Sequence, residues 1–200
     1  MEMLSAYAII ILAAGNSSRL GEPKQLLKYQ NKTLIRHITE AAAETVGSNV
    51  IVVTGSNAEL IQNEIDGLSF QLAHNADWQE GMASSIVTGV SKLITLNPQC
   101  QGAVIAVSDQ PFVTSSLFRD LIQSNIQNGS GIVASSYDQT VGTPVFFSSS
   151  YFPQLLQLTG VEGAKKLIKR FESDVTTISF PLGSIDIDTQ EDYGNLLSLS

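Results

Sequence analysis

This chain has little of what secreted, nucleic-acid-binding and membrane proteins need. Its single cysteine, Cys100, excludes an internal disulfide bond, which agrees with a reducing compartment. Only 15% of the residues are charged, and the formal net charge of −8 argues against a surface for nucleic acid or anionic lipid. The N-terminus lacks a basic signal-peptide start, and the apolar stretch 6–14 is too short to cross a bilayer. We therefore expect a cytoplasmic protein with no nucleic-acid partner and no membrane partner.

The pattern of apolar and amphipathic segments predicts one α/β domain over residues 1–200. Strands are predicted at 8–12, 49–55, 70–75, 102–107, 132–137, 143–147, 175–178 and 185–188, and helices at 33–46, 58–65, 81–96, 115–128, 153–158, 163–171 and from 189 onward. This order is typical of a three-layer α/β/α, doubly wound, mostly parallel sheet with a mixed C-terminal edge. Ligands of such sheets bind at the carboxyl ends of the strands.

The loop after the first strand is built from small residues and carries two cations. Ala13, Ala14 and Gly15 leave so little side-chain bulk that backbone N–H groups can approach phosphate oxygens directly. Arg19 and Lys24 lie close enough in sequence to bring two positive charges to the same anion. The loop has neither the P-loop pattern nor Gly-x-Gly-x-x-Gly, so an ordinary strand-to-loop turn stays the alternative.

A single carboxylate, Asp109, follows the apolar strand 102–107. Mg²⁺ is usually held by one or two carboxylates together with the phosphates of the substrate, so Asp109 suffices as a protein ligand. The alternative is that Asp109 only caps the turn before Pro111.

A third segment places Gly81 and two hydroxyl groups at the start of a predicted helix. The free N–H groups of a helix N-terminus could face a ribose, base or phosphate. Ser84 and Ser85 are equally suited to cap that helix.

Two aspartates alternate near the C-terminus, where residues 185–188 read as a strand. Alternate residues of a strand point to opposite faces, so only one of the two should face the site. We expect Asp186 to be a second metal contact and Asp188 to cap the terminal helix together with Thr189.

Several motifs together resemble the MobA-like NTP transferase family, and in particular the molybdenum cofactor cytidylyltransferases. The resemblance covers nearly the whole chain. It rests on Leu12-Ala13-Ala14-Gly15, Arg19-Leu20-Gly21, Pro23-Lys24, Gly142-Thr143-Pro144-Val145, Gly160-Val161-Glu162-Gly163-Ala164-Lys165 and Asp186-Ile187-Asp188-Thr189. The chain departs from the family at Thr143, where His or Asn is usual, and at Glu162, Lys165 and Gln190, which replace Asp, Arg and Pro.

The resemblance implies a Rossmann-like, GT-A-like nucleotidyltransferase that uses Mg²⁺, with Mn²⁺ as an alternative. It implies transfer of CMP from CTP to the phosphate of molybdopterin, with release of pyrophosphate. Arg19, Lys24 and Asp109 would be catalytic, and Asp109 and Asp186 would hold the metal ion. The implied nucleotide-binding residues are Leu12, Ala13, Ala14, Gly15, Ser17, Ser18, Asn75, Gly81 and Ser85.

The choice of CTP rests on Ala14, because guanylyltransferases of this family usually have glycine there and the alanine methyl narrows the pocket toward a pyrimidine. One alternative is a nucleotidyltransferase acting on a sugar phosphate or an alditol phosphate. Another is a non-catalytic maturation factor for a molybdenum hydroxylase. As an enzyme, the chain would deliver molybdopterin cytosine dinucleotide to a hydroxylase of the xanthine dehydrogenase type.

Overall fold

A seven-stranded sheet forms the centre of the computed structural model, which describes residues 4–17, 20–161 and 163–198. The strands of this sheet are β1 (Tyr7–Leu12), β4 (Val50–Thr54), β5 (Gln71–His74), β6 (Gly102–Val107), β7 (Ile132–Tyr137), β8 (Thr140–Ser148) and β9 (Val175–Ser179). A separate small hairpin joins β2 (Lys28–Tyr29) to β3 (Lys32–Thr33).

The strand order is β5-β4-β1-β6-β8-β7-β9. Every neighbouring pair is parallel except the two that involve β8, which runs against β6 and β7. The predicted mostly parallel, doubly wound sheet is therefore confirmed, and its mixed part lies on the C-terminal side. The antiparallel strand is interior, since the parallel strand β9 forms that edge.

Helices cover both faces of the sheet. They are α1 (Leu34–Val46), α2 (Ala58–Glu64), α3 (Met82–Leu96), α4 (Ser115–Asn128), α5 (Phe152–Leu155), α6 (Lys165–Arg170) and α7 (Gln190–Ser198). In β1, Ile9 and Ile11 belong to the same apolar cluster as α1 and α4, whereas Ile10 and Leu12 belong to the cluster of α3, α5 and α6. Alternate residues of one strand thus serve both cores, which explains its unbroken apolar sequence.

Local signals set the ends of the longer helices. Thr33 begins α1 by accepting a hydrogen bond from Arg36 N at 3.3 Å, and Thr114 begins α4 in the same way. At the other end of α4, Gly129 takes a left-handed conformation with φ of 72°. The predicted bounds of β6 and α4 agree residue for residue with the structure.

The predicted strand 185–188 is wrong, because these residues are irregular in the structure. The second strand of the β7–β8 hairpin is longer than predicted, since it begins at Thr140. Its turn is correspondingly tight, with positive φ at Asp138 and Gln139. Helices α5 and α6 are shorter than the predicted ranges 153–158 and 163–171.

A third apolar cluster anchors the C-terminal segment beneath the first loop. Ile187 is fully buried there among residues of the loop, the small hairpin and α7. Its backbone N–H also donates to the carbonyl oxygen of Asp109 at 3.3 Å. The irregular segment 185–188 is therefore held against the end of β6 without belonging to the sheet. In the part of the chain that the structure describes, no helix has the length and apolarity needed to cross a membrane.

Candidate functional site

The first loop is shaped by a buried glutamine that the sequence analysis did not single out. Gln25 is 1% exposed, and its Nε2 donates to the carbonyl oxygens of Ala13 at 3.1 Å and Gly15 at 2.8 Å. Farther along the loop, Lys24 N donates to the hydroxyl of Ser17 at 2.9 Å. These bonds tie the carbonyl oxygens of Ala13 and Gly15 and the hydroxyl of Ser17 to Lys24 and Gln25, beside the space that Ala14 and Gly15 line.

Lys24 joins the first loop to two carboxylates from distant parts of the chain. Its Nζ donates to Asp109 Oδ2 and, at 3.1 Å, to Asp188 Oδ1. Burial alone would lower the pKa of Lys24, but the adjacent carboxylates of Asp109 and then Asp188 outweigh it and raise the pKa. Lys24 is therefore fully protonated at neutral pH and lies at the end of β6.

Asp188 does not play the role expected of it. The terminal helix is capped by Thr189, whose hydroxyl accepts from Asp192 N at 3.2 Å while Asp192 Oδ2 accepts from Thr189 N at 2.8 Å. Thr189 was predicted correctly, but the carboxylate of Asp188 binds Lys24. Strand alternation does not apply here because the segment is not a strand, so Asp186 and Asp188 both face the site.

Asp186 lies close enough to the other two carboxylates to sense their charge. Burial first, and then the charges of Asp109 and Asp188, raise the pKa of Asp186 above its usual range. A carboxylate so destabilised by its neighbours is suited to receive a cation.

A cavity of about 340 Å³, here called the first cavity, opens beside the first loop. Its walls are Leu12, Ala14, Gly15, Asn16, Lys24, Gln25, Trp78, Gln79, Gly81, Met82, Ser85, Val107, Ser108 and Asp109. One wall is the small-residue loop, and the opposite wall is the start of α3 with the turn before it. The side chain of Trp78 packs there against Gly55, where a Cβ would lie 2.9 Å from Trp78 Cβ.

The start of α3 is held in place by a hydrogen-bonded asparagine. Asn75 is 2% exposed, and its Nδ2 donates to the hydroxyls of Ser84 at 2.8 Å and Ser85 at 3.0 Å. Gly81 must be glycine, because its φ is 112° and a Cβ would lie 2.6 Å from the carbonyl oxygen of Gly160. Neither serine caps the helix through a backbone N–H of its first turn, so the capping alternative is wrong.

A second cavity, of about 540 Å³, adjoins the first. It is lined by Met82, Val107, Asp109, Gln110, Tyr137, Asp138, Thr140, Thr143, Val161, Gly163, Ala164, Lys165, Gly183, Ser184 and Asp186. The two cavities share Asp109, Met82 and Val107, so they meet at the end of β6. The side chain of Gln110, which lines the second cavity, is buried, and its Nε2 donates to the carbonyl oxygens of Thr143 at 3.1 Å and Gly183 at 2.8 Å.

The structure brings most of the predicted site residues to these two cavities. Leu12, Ala14, Gly15, Gly81, Ser85 and Lys24 line the first, Asp186 lines the second, and Asp109 lines both. Ala13, Ser17 and Asn75 lie behind the lining, where they accept or donate the hydrogen bonds described above. Ser18 and Arg19 lie outside the described residues. Two roles were missed by sequence reasoning: that of Asp188, which stands within a noted motif, and that of Gln25, which directly follows the Pro23-Lys24 motif.

The matching family model is the MobA-like NTP transferase domain, which matches residues 9–175. The chain belongs to the MobA-like NTP transferase family. It is a nucleotidyltransferase with a Rossmann-like fold, as the resemblance of its motifs had indicated. The match spans the first loop, Asp109 and the β7–β8 hairpin, so both cavities are built largely from the family domain.

Full-length relatives carry different names. The chain is 30% identical to the nicotine blue oxidoreductase of Paenarthrobacter nicotinovorans, with 94% of this chain and 95% of that protein covered. It is 25% identical to the molybdenum cofactor cytidylyltransferase of Escherichia coli K12, with 95% of each covered. The crystal structure of Rv0371c from Mycobacterium tuberculosis in complex with manganese is 26% identical, with a TM-score of 0.77 over 97% of this chain and 99% of that chain.

The carboxylates of this nucleotidyltransferase fit a divalent metal ion that arrives with a substrate. Asp109 Oδ1 is buried and accepts no hydrogen bond from the described residues, so it has an oxygen to offer. Within 4–17, 20–161 and 163–198, no group of three or more His, Cys, Asp or Glu side chains is arranged to hold a metal ion alone. This agrees with Mg²⁺ or Mn²⁺, which take one or two carboxylates and complete their ligands with phosphate oxygens and water.

Proposed function

We propose that this nucleotidyltransferase transfers CMP from CTP to the phosphate of molybdopterin and so forms molybdopterin cytosine dinucleotide. The observation that carries the proposal is the pair of cavities that meet at Asp109. A transfer between two substrates needs two adjoining sites with the reacting groups at their junction. The E. coli relative named molybdenum cofactor cytidylyltransferase supports this choice of substrates.

The nucleotide is assigned to the first cavity, because its loop offers backbone N–H groups and a protonated lysine. Lys24, with Arg19 as a second predicted cation, would bind oxygens of the triphosphate and stabilise the pyrophosphate that leaves. The phosphate of the acceptor attacks the α-phosphorus, forming one P–O bond while the bond to the β-phosphate oxygen breaks. Catalysis then comes from positioning and charge neutralisation, without a protein nucleophile.

Asp109 and Asp186 would hold the metal ion at the junction of the cavities. When bound, Mg²⁺ or Mn²⁺ neutralises negative charge on the phosphate oxygens of the two substrates. Asp188 would orient Lys24, because its carboxylate accepts a hydrogen bond from Nζ at 3.1 Å.

The acceptor is assigned to the second cavity, whose walls combine polar and apolar groups. Tyr137 and Thr143 offer hydroxyl groups, whereas Met82, Val161 and Ala164 form an apolar side. Burial raises the pKa of the Tyr137 phenol, so at neutral pH it remains a hydrogen-bond donor. A planar heterocycle with polar edges and one phosphate matches such a cavity.

Pyrophosphate release from CTP, GTP, ATP and UTP, each with and without molybdopterin and with Mg²⁺ or Mn²⁺, tests this proposal. We expect the strongest signal from CTP with molybdopterin. A preference for GTP would refute the role given to Ala14, and release with a sugar phosphate or alditol phosphate alone would replace the acceptor. If no acceptor gives release, the chain serves another activity or acts as a maturation factor.

A redox reaction is the second candidate, since the relative at 30% identity is named nicotine blue oxidoreductase. Following the colour of nicotine blue with the protein and an added hydride donor, NADH or NADPH, tests it directly. Turnover of the dye that persists after Asp109→Asn would favour this candidate over nucleotidyl transfer. A molybdenum hydroxylase as recipient of the product, and a cytoplasmic location, stay predictions.

A further inference from the structure

The second cavity carries a charge balance that is unfavourable for the acceptor assigned to it. Among its described lining residues, Asp109, Asp138 and Asp186 contribute three carboxylates, and Lys165 contributes the one cationic side chain. A phosphate monoester that enters this space is repelled by the carboxylates that line it. Lys24 lines only the first cavity, where its Nζ pairs with Asp109, so Asp138 and Asp186 still place two carboxylates beside the single cation Lys165 in the second cavity.

The side chain of Lys165 lies at the cavity wall, packed against Gly142 of β8. A Cβ at Gly142 would lie 3.1 Å from Lys165 Cε, so the aliphatic part of the lysine lies directly over the backbone of β8. The same Cβ would press on the hydroxyl of Tyr137. Gly142 therefore leaves room for two polar groups that line the second cavity, at a position where its own φ does not require glycine.

The second cavity also has apolar lining, which helps one cation to orient a whole acceptor. Met82, Val161 and Ala164 contribute apolar surface to this lining, and Val161 is 88% exposed although it is apolar. An acceptor with an anionic end and a less polar ring has one orientation in which the anion meets Lys165 and the ring meets the apolar lining. In the reverse orientation, the anion would face the apolar side and leave Lys165 without it.

We propose that Lys165 binds the phosphate of the acceptor and that Gly142 is glycine in order to seat it. The inference rests on the proposed function for the identity of the acceptor, a phosphate monoester attached to a ring system. Lys165 thereby acts as a specificity-determining residue for the second substrate. The nucleotide is bound independently of it, because Lys165 does not line the first cavity.

The experiment measures binding of the two substrates separately and without turnover. Molybdopterin is titrated anaerobically into the protein and followed by its own pterin absorbance, whereas CTP is followed by the fluorescence of Trp78, the single tryptophan of the chain, which lines the first cavity. Lys165→Met removes the charge and keeps the aliphatic stem over Gly142. Lys165→Arg restores the charge, and Lys169→Met is the matched control on the same helix with an exposed side chain outside both cavities.

We expect Lys165→Met to weaken molybdopterin binding about tenfold or more, the loss of one charge-assisted hydrogen bond, with CTP binding unchanged. Lys165→Arg and Lys169→Met should bind molybdopterin within about twofold of the wild type. In turnover, the KM for the acceptor should rise while kcat and the KM for CTP stay the same. Gly142→Ala should likewise weaken molybdopterin binding, because the added Cβ would displace the Lys165 stem and the Tyr137 hydroxyl from their positions in the second cavity.

The outcomes separate the inference from the proposed function. A wild type that binds molybdopterin no more tightly than Lys165→Met overturns the inference, as does an equal loss of CTP binding. A wild type that releases no pyrophosphate, while Lys165→Met still loses molybdopterin binding, refutes the proposed reaction and supports the inference.

Discussion

The two cavities that meet at Asp109 are built in opposite ways. The first cavity has a wall of backbone and small residues, fixed by the buried amide of Gln25, and its cation Lys24 already lies between two carboxylates. The second cavity is walled by longer side chains, carries more carboxylates than cations and raises the pKa of Asp186. A cavity lined by backbone suits a group that all nucleotide substrates share, such as the triphosphate. A cavity lined by side chains can change its specificity through substitutions that leave the fold intact.

This contrast predicts that changes at the junction affect both substrates and that changes within one cavity affect one substrate.

Asp109→Asn should have the largest effect, because Asp109 lines both cavities and offers the unpartnered oxygen Oδ1. We expect kcat for pyrophosphate release to fall about 100- to 1000-fold, as when a group that stabilises transition-state charge is lost. The matched control is Asp120→Asn, an exposed aspartate on α4. Activity of Asp109→Asn within about threefold of that control would contradict a catalytic role for Asp109 at the junction of the two cavities.

Lys24→Gln should affect the nucleotide side. Loss of a charged donor to the triphosphate should lower kcat/KM for CTP roughly 10- to 100-fold. Molybdopterin binding without nucleotide should stay near the wild-type value, and Lys28→Gln, at an exposed position four residues along, serves as control. An equal loss of molybdopterin binding would mean that the two cavities are not independent.

Gln25→Leu tests whether the first cavity is rigid because of one amide. The carbonyl oxygens of Ala13 and Gly15 would lose their side-chain donor, so the free energy of unfolding should fall by about 1 to 3 kcal/mol. Urea unfolding measures this change, and Gln157→Leu at an exposed position should stay within about 0.5 kcal/mol of the wild type. Unchanged stability together with unchanged CTP affinity would show that Gln25 does not fix the first loop.

Asp186→Asn should have the smallest effect. The quantity that it changes is the dependence of the free energy of unfolding on pH. Because the folded-state pKa of Asp186 is raised, the native state binds this proton more tightly, and stability falls as pH rises from the usual carboxyl range through the raised pKa. The variant should therefore be more stable than the wild type at pH 8, by less than about 0.5 kcal/mol because Asp186 is exposed. The difference should vanish below the usual carboxyl range, and a gain that grows toward low pH contradicts this assignment.

Much of the fold was predictable because its signals are local. The unbroken apolar runs of β1 and β6, and Thr114 and Gly129 at the ends of α4, mark elements whose bounds the structure reproduces closely. The strand prediction at 185–188 failed because apolar alternation also arises when a single isoleucine anchors an irregular segment. The extent of a single domain over residues 1–200 stays a prediction.

The part of the candidate site that follows the carboxyl ends of β1 and β6 was predictable. Gly15, Lys24 and Asp109 follow strands whose carboxyl ends share one edge of the sheet, so a doubly wound order already implies their proximity. Gln25 was missed because its role lies in two backbone oxygens that the sequence does not display. Lys165 was noted as part of a motif, but its position beside Gly142 depends on packing between β8 and α6.

The sheet, its apolar cores and the small-residue loop follow from hydrophobic periodicity and from residues near one another in the chain, so they can be recognised without a structure. Which carboxylates meet Lys24 depends on the packing of distant segments. Asp109 and Asp188 lie 85 and 164 positions away from it, and they converge because β6 ends beside the first loop and buried Ile187 fixes the C-terminal segment there. Contacts over such separations come from the packing of whole elements, which no local pattern encodes.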